Sequence, residues 1–355
     1  MIFRIKNIIS LLLFGMVLFT ISCMEELTEP VKVGYHSSAD LITYLETHGD
    51  YISSSDNPSI ISVDSAYLNL PDYLLMDIRT TSQFQSGHIE GARNFGIEEL
   101  IDSLDFNNVN LEAGIIVVSE SGQKAAFATA LLRLYGYTNI FSLDFGMAQW
   151  HEQFSDVWVN ARNDSEWWFL YETQYFSKRS RENQIPSIPN DDESLTIEEF
   201  LKKRIKKLLT EQEYQNSIIS ILELDATYSI RYSKFVDGYV FCYDEKELYE
   251  RKRYFRFVSP PVTWGGHPRN APFYDAETDF KASTNLLTLP VNETVYNYTF
   301  NGQRSLYITA YLRLVGYNAK SIHYGAVSMI YNKLLLEQFD ESFRVEKIRN
   351  YPIVN

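Results

Sequence analysis

The chain has 355 residues and is 45% hydrophobic, which is enough for two ordinary domains. Its 46 acidic and 32 basic residues leave a formal net charge of −14, which argues against nucleic-acid binding, because phosphate neutralisation needs a local excess of Lys and Arg. Two cysteines, Cys23 and Cys242, are too few for a disulfide framework or a cysteine-rich zinc site. The histidines show no ligand spacing, so neither a metal nor a cofactor is predicted.

Residues 1–22 predict a secretion signal. Arg4 and Lys6 precede the apolar run 8–21, which is shorter than the roughly 20 residues that span a bilayer and suits a signal-peptide core. The run ends at Cys23 in a pattern that resembles the lipobox of bacterial lipoproteins. That resemblance implies cleavage before Cys23 and acylation of this residue, although an uncleaved apolar anchor is an alternative. We expect a lipoprotein anchored in the bacterial cell envelope, facing the periplasm or the surface.

Residues 23–34 are predicted to be a tether, and residues 35–158 to form a first domain. The apolar run 73–78 (YLLMDI) and the β-branched run 115–118 (IIVV) predict buried strands, and the apolar spacing of residues 124–135 predicts a helix. Strands that alternate with helices predict an α/β fold with a parallel sheet covered by helices.

Residues 159–194 are polar and irregular, and they end in a segment rich in Pro, Asn and Asp, so they predict a linker. Residues 195–209 predict a helix that Thr196 caps, with Glu198 and Glu199 in its first turn. We expect a second domain over residues 195–345.

An internal repeat relates the two domains. Gly122-Gln123-Lys124 recurs as Gly302-Gln303-Arg304, and residues 129–137 recur as 309–317, in both cases 180 residues on. At an offset of 179, the residues that recur are Gly87, His88 and Ala92, as Gly266, His267 and Ala271. Two landmarks with nearly equal offsets predict that the chain holds two copies of one domain.

The segment after the run 115–118 predicts an anion site. A strand runs into a tight loop that opens a helix, and the backbone N–H groups and helix N-terminus of such a loop form a concave cradle. Lys124 and Arg304 would add positive charge, so a small anion is a predicted ligand. The cradle residues are Ser119, Glu120, Ser121, Gly122, Gln123 and Lys124 in the first loop, and Thr299, Phe300, Asn301, Gly302, Gln303 and Arg304 in the second.

Residues 75–79 (LMDIR) followed by 87–94 (GHIEGARN) resemble the strand and Gly-His signature of the rhodanese family. Residues 131–137 and 146–150 resemble its closing helix and final turn. The second repeat departs further from the pattern. If Asp244 is its counterpart of Asp77, about twelve residues are inserted there. The resemblance implies two rhodanese-like α/β domains, each a parallel sheet flanked by helices.

Rhodanese-like enzymes carry a catalytic Cys at the first loop position and transfer sulfur through a persulfide. Ser119 and Thr299 occupy those positions here, and a hydroxyl cannot form a persulfide. The sequence therefore predicts a non-catalytic protein that binds an anion or another ligand, senses, or scaffolds with an unknown envelope partner. The alternatives are a sulfurtransferase of the thiosulfate or 3-mercaptopyruvate type that uses another thiol such as Cys242, or a first domain that only orients the second.

Three further residues support the first loop in this interpretation. Asp77 and Arg79 are expected to form an ion pair at the strand end, beside the loop. His88, in the family signature, is expected to be a hydrogen-bonded turn residue rather than a metal ligand. A Ser or Thr nucleophile needs a general base within hydrogen-bond reach, and His88 is the only imidazole in a family motif of the first repeat, so hydrolase chemistry is disfavoured.

Overall fold

The fold is taken from a computed structural model. It describes residues 36–54, 57–172, 174–182, 184–189, 194–229, 234–235, 238–244, 246–249, 253–254, 263–264, 267–337 and 342–355. The predicted signal, Cys23, the tether and Gly266 lie outside these residues. Within them, no helix combines the length and apolarity needed to cross a membrane.

The first half of the molecule, residues 36–159, is built on a five-stranded sheet of order β1-β5-β4-β2-β3, in which every neighbouring pair is parallel. Its strands are β1 (Ile60–Ile61), β2 (Leu74–Asp77), β3 (Arg93–Asn94), β4 (Ile115–Val118) and β5 (Ile140–Leu143). Its helices are α1 (Ser38–Thr47), α2 (Val63–Leu68), α3 (Thr81–Gln85), α4 (Leu100–Phe106), α5 (Gln123–Tyr135), α6 (Met147–Trp150) and α7 (Asp156–Val159). The predicted strands and the predicted helix at 124–135 are confirmed.

The second half, residues 194–355, is built on a four-stranded sheet of order β6-β13-β12-β9, again parallel throughout. Two antiparallel ribbons, β7–β8 and β10–β11, lie outside it. The strands are β6 (Ile218–Ile219), β7 (Tyr228–Ser229), β8 (Lys234–Phe235), β9 (Gly238–Cys242), β10 (Arg253–Tyr254), β11 (Thr263–Trp264), β12 (Thr294–Tyr298) and β13 (Ala319–Ile322). The helices are α8 (Ile197–Leu208), α9 (Glu211–Asn216), α10 (Ile221–Asp225), α11 (Lys246–Tyr249), α12 (Gln303–Leu314), α13 (Ala326–Met329) and α14 (Tyr331–Glu337).

The α/β fold with parallel sheets flanked by helices is thereby confirmed. The predicted cap of α8 is also present: the Thr196 side chain accepts from the Glu199 N–H, and the Glu199 carboxylate accepts from the Thr196 N–H. Such a reciprocal pair satisfies two N–H groups that a helix start otherwise leaves open.

The two sheets align strand by strand, and their pairing corrects one expectation. Asp77 pairs with Val118 in the first sheet, and Cys242 pairs with Tyr298, the residue 180 positions after Val118, in the second. Cys242, not Asp244, therefore stands in the place of Asp77. Asp244 was the wrong choice because hydrogen-bond register, not residue type, sets the correspondence. From the strand end to the histidine the chain runs 25 residues (242 to 267) against 11 (77 to 88), so 14 are inserted.

Helices α5 and α12 lie against each other at the centre of the molecule, and α8 packs on both. All residues of α5 from Gln123 to Leu134 are buried, as expected for a helix enclosed between a sheet and a second helix. The largest cluster of buried apolar side chains draws on both halves, for example Phe127 and Tyr307. The two sheets therefore share this cluster, and two further buried clusters lie outside it.

Two segments cross between the halves. The inner strap, residues 163–172, runs on the second half, where Glu172 and His267 exchange two backbone hydrogen bonds of 2.8 and 3.2 Å. The outer strap, residues 349–354, runs on the first half, where Val354 and His88 make the equivalent exchange at 2.8 and 2.9 Å. Each half is thus bound by a segment that follows the other half in the chain.

Candidate functional site

The first loop connects β4 to α5 and closes on itself. Ser119 is fully buried, and its Oγ accepts a hydrogen bond from the Ala125 N–H at 3.2 Å. The Ser119 carbonyl accepts from the Met147 N–H at 3.0 Å. A Cβ at Gly146 would overlap that carbonyl oxygen, so glycine is required where the next turn approaches the loop. The hydroxyl at the family's nucleophile position is therefore a structural hydrogen-bond acceptor.

In the second loop, between β12 and α12, side-chain oxygens again accept hydrogen bonds from backbone N–H groups, and there are more such bonds than in the first loop. Thr299 is fully buried, and its Oγ1 accepts from the Gly302 N–H at 3.0 Å. The Gln303 N–H donates to Asn301 Oδ1 at 3.1 Å, and the Phe300 N–H donates to the Asp244 carboxylate at 2.6 Å. Three backbone donors of this loop, the N–H groups of Phe300, Gly302 and Gln303, are thus bound to oxygen atoms of the protein itself.

The cation of the first loop faces two carboxylates. Lys124 Nζ lies 3.8 Å from Glu120 and 3.4 Å from Glu211, the latter in α9 of the second half. Burial raises the pKa of Asp144, which follows β5, to about 7, and the positive charge of Arg304 in the second loop acts in the opposite direction.

Two glutamines hold the loops to each other. Gln123 Oε1 accepts from the Tyr324 N–H at 2.9 Å, and Gln303 Oε1 accepts from the Phe145 N–H at 2.8 Å. Gln303 Nε2 also donates to the Leu143 carbonyl at 3.2 Å. Both side chains are fully buried. Sequence reasoning placed them in the cradles but missed this role, and the available signal was that the Gly-Gln pair recurs unchanged.

Asp77 and Arg79 form the expected ion pair. Arg79 Nη2 lies 2.7 Å from Asp77 Oδ2 and donates to the Gly87 carbonyl at 2.9 Å, and both charged side chains are buried. His88 is a turn residue, with Nδ1 3.1 Å from the Phe84 carbonyl oxygen and its ring stacked on Phe84 at 3.7 Å. These contacts tie the end of β2 to the Gly-His turn and leave His88 unsuited to act as a base on Ser119.

Cys242 lies at the end of β9 and is fully buried. Burial raises the pKa of its thiol, and the negative charge of Asp244 raises it further. A reactive cysteine needs an electropositive, accessible setting that lowers its pKa. Hydrogen bonds with the Tyr298 side chain and the Asp244 backbone act in the opposite direction, but burial outweighs them and the net pKa is raised, so the structure does not support Cys242 as a displaced nucleophile.

The parallel sheet and the strand–loop–helix connection define the class of the first half, an α/β domain with helices on its sheet. Residues 62–153 match the family model described as the rhodanese-like domain. The chain is 32% identical to the thiosulfate sulfurtransferase GlpE of Shewanella oneidensis over 78 residues, which is 22% of this chain and 75% of that protein. It is also 32% identical to the protein of the same name from Pseudomonas putida over 77 residues, 22% of this chain and 68% of that one.

The chain belongs to the rhodanese-like family. Solved structures that align with it include a rhodanese-related protein from Thermoplasma volcanium, at 24% identity, 27% of this chain, 92% of that chain and a TM-score of 0.24. A rhodanese-like domain protein from Staphylococcus aureus aligns at 22% identity, 25% of this chain, 87% of that chain and a TM-score of 0.23. The family assignment rests on the sequence relatives.

Proposed function

We propose that this protein is a non-catalytic member of the rhodanese-like family that binds or scaffolds a partner at the bacterial cell envelope. The proposal rests on one observation: in both halves the first loop residue carries a buried hydroxyl, Ser119 or Thr299, in place of a thiol. A hydroxyl is not deprotonated as a thiol is, and it cannot carry sulfane sulfur.

The proposal includes a second, divergent rhodanese-like domain at residues 195–345. Its sheet order matches that of the first half, with β6, β13, β12 and β9 in the places of β1, β5, β4 and β2. The loop that precedes α12 has the same left-handed glycine as the loop that precedes α5, with φ of +73° at Gly302 and +80° at Gly122. These features support the proposal that the two halves are copies of one ancestral domain.

The contacts of the loops favour a protein partner over a small anion. Several groups that would bind a free anion already have partners: the N–H groups of Ala125, Phe300 and Gly302 bind Ser119, Asp244 and Thr299, and Lys124 faces carboxylates. A chain anchored through acylated Cys23 would remain within reach of its tether, which spans at most about 3.3–3.6 Å per residue. The partner in this proposal is therefore an envelope protein close to the membrane.

The test is sulfur transfer from thiosulfate to cyanide by the chain that begins at Cys23, with a catalytic rhodanese as positive control. We expect no turnover above background from the wild type or from the Cys242→Ser variant. Turnover that disappears in Cys242→Ser, Ser119→Ala or Thr299→Ala would overturn the proposal.

A second variant restores the missing sulfur atom. Ser119→Cys is expected to stay inactive, because the position is buried and its loop is bound to Gln303 of the second half. Thr299→Cys is the matched variant in the other loop and is expected to behave alike. Turnover in either variant would show that the loop still binds and orients an anionic sulfur donor. That result would contradict the proposal that the loops serve only to scaffold a partner.

A further inference from the structure

The outer strap is held by one carboxylate of the first half. Asp64, in α2, accepts from Arg349 Nε and Nη2, both at 2.7 Å, and from the Tyr351 hydroxyl at 2.7 Å. These contacts lower the pKa of Asp64, the Arg349 bonds most. A paired, two-bond contact of this kind selects a guanidinium in one orientation.

Aromatic and backbone contacts continue along the strap. Tyr351 stacks on Tyr67 with ring centroids 3.9 Å apart, and Trp150 Nε1 donates to the Pro352 carbonyl at 3.1 Å. The side chain of Ile353 lies over Gly87, and Val354 pairs with His88 through two backbone hydrogen bonds. We call the surface of the first half that the outer strap covers the strap groove. Its residues are Asp64, Tyr67, Gly87, His88 and Trp150.

This arrangement is a known mode of peptide recognition. An extended segment pairs with an edge through its main chain, while pockets take alternate side chains and supply the specificity. In the second half His267 pairs in the same way with Glu172 of the inner strap. The histidine at this position therefore pairs with a strap residue in both halves.

The outer strap is attached partly at the surface, while Tyr351 and Ile353, both half-buried, pack against a core cluster of the first half. The side chains of Arg349 and Asp64 are 41% and 43% exposed, and Pro352 and Val354 are exposed as well. Exposed ion pairs contribute little, about 0–1 kcal/mol, and peripheral segments open at low free energy. Trp150, fully buried under the strap, would then border an open groove, and an uncovered aromatic surface favours a new occupant.

We propose that the strap groove is a docking site for an extended segment of a partner protein, and that residues 349–354 occupy it in cis until such a segment displaces them. The partner segment has the chemistry of the strap: an arginine, an aromatic residue two positions on, then a proline and two aliphatic residues. This inference rests on the proposed binding function and names the kind of partner that it takes.

The test uses a fluorescein-labelled peptide with the sequence of residues 347–355 and the chain that begins at Cys23. The double variant Arg349→Ala/Tyr351→Ala loosens the cis segment, and we expect it to bind the peptide at least tenfold more tightly than the wild type does. Adding Asp64→Asn to the double variant is expected to weaken binding at least tenfold. Val345→Ala, an exposed position outside the strap, is the matched control and should bind as the wild type does.

The absence of peptide binding to a double variant with an unchanged near-ultraviolet circular dichroism spectrum would overturn the inference. A concentration-dependent dimer of the double variant or wild type that the free peptide dissociates would also overturn it, because a second copy would then be the occupant. Sulfur transfer is measured on the same samples. Turnover would defeat the proposed function without touching peptide binding, whereas failed peptide binding would leave the non-catalytic assignment standing.

Discussion

At the end of β2 the first half places Asp77 and Arg79, and at the same register the second half places Cys242 and Asp244. The Arg79 guanidinium neutralises Asp77 and reaches the Gly87 carbonyl, so it fastens the strand end to the Gly-His turn. The Asp244 carboxylate instead accepts from the Phe300 N–H and fastens the strand end to the neighbouring loop. The two halves thus share a backbone path. The charged residue after the strand contacts the Gly-His turn in the first half and the loop before α12 in the second.

The largest effect is expected where this comparison is broken in the first half. Asp77→Ala leaves Arg79 buried without its counter-charge, which costs about 3–5 kcal/mol of unfolding free energy. Asp244→Ala removes one charge-assisted hydrogen bond and is expected to cost about 1–3 kcal/mol. Urea denaturation of the two variants measures the difference. Equal losses of unfolding free energy would contradict the predicted difference between the two strand ends. The double variant Asp77→Leu/Arg79→Met should recover much of the stability, because it removes both buried charges.

The reciprocal glutamines sharpen the comparison at the loops. Gln303→Ala removes the side-chain bonds to the buried Phe145 N–H and to the Leu143 carbonyl, and we expect a loss of about 2–4 kcal/mol. Gln123→Ala removes the bond to the Tyr324 N–H and should cost less, about 1–3 kcal/mol. Amide hydrogen exchange at Phe145 and Tyr324 is the measurement. The idea fails if neither amide exchanges faster in its variant.

The smallest effect concerns pH and one matched pair of positions, Asp144 and His323, which make equivalent backbone bonds to Ile61 and Ile219. Burial raises the pKa of Asp144 to about 7 from 3.8, so stability present at low pH is lost as the pH rises through about 7. Burial lowers the pKa of His323 to about 4 from 6.5, so stability present at neutral pH is lost as the pH falls below 6.5.

We therefore expect the unfolding free energy of Asp144→Asn to fall less than that of the wild type as the pH rises towards 8. We expect the unfolding free energy of His323→Gln to fall less than that of the wild type as the pH decreases towards 4. Each effect is on the order of 1–3 kcal/mol. Urea denaturation at pH 4.5, 5.5, 6.5 and 7.5 compares both variants with the wild type. A variant whose pH profile parallels that of the wild type would show that its residue titrates as it does in the unfolded chain.

Local chemistry explains what could be predicted from the sequence. The run Ile115–Val118 is a buried parallel strand because β-branched residues suit that environment, and Thr196 caps α8 because a hydroxyl three residues before Glu199 forms a reciprocal pair. The ion pair of Asp77 and Arg79 follows from two charges placed two residues apart at a strand end.

Contacts across long separations could not be predicted in the same way. The register that places Cys242 opposite Tyr298 is set by pairing between strands, and an aspartate two residues on offered a misleading match. The Gln303 bond to Phe145 joins residues 158 positions apart, and no local pattern indicates it. The two straps are short, and the inner one includes a 3-10 turn at Trp168–Leu170, so they lack the periodicity that identifies helices and strands.

The exchange of straps has a consequence for how the protein is made. During synthesis residues 36–159 emerge from the ribosome long before residues 349–354 exist, yet the backbone N–H and carbonyl of His88 pair with Val354. Domains generally fold as the nascent chain emerges, at about 5–20 residues per second. The first half therefore spends roughly ten seconds or more before Val354 is available to pair with the His88 backbone. A chaperone that covers extended edges during translation or export would be most valuable to this chain in that interval.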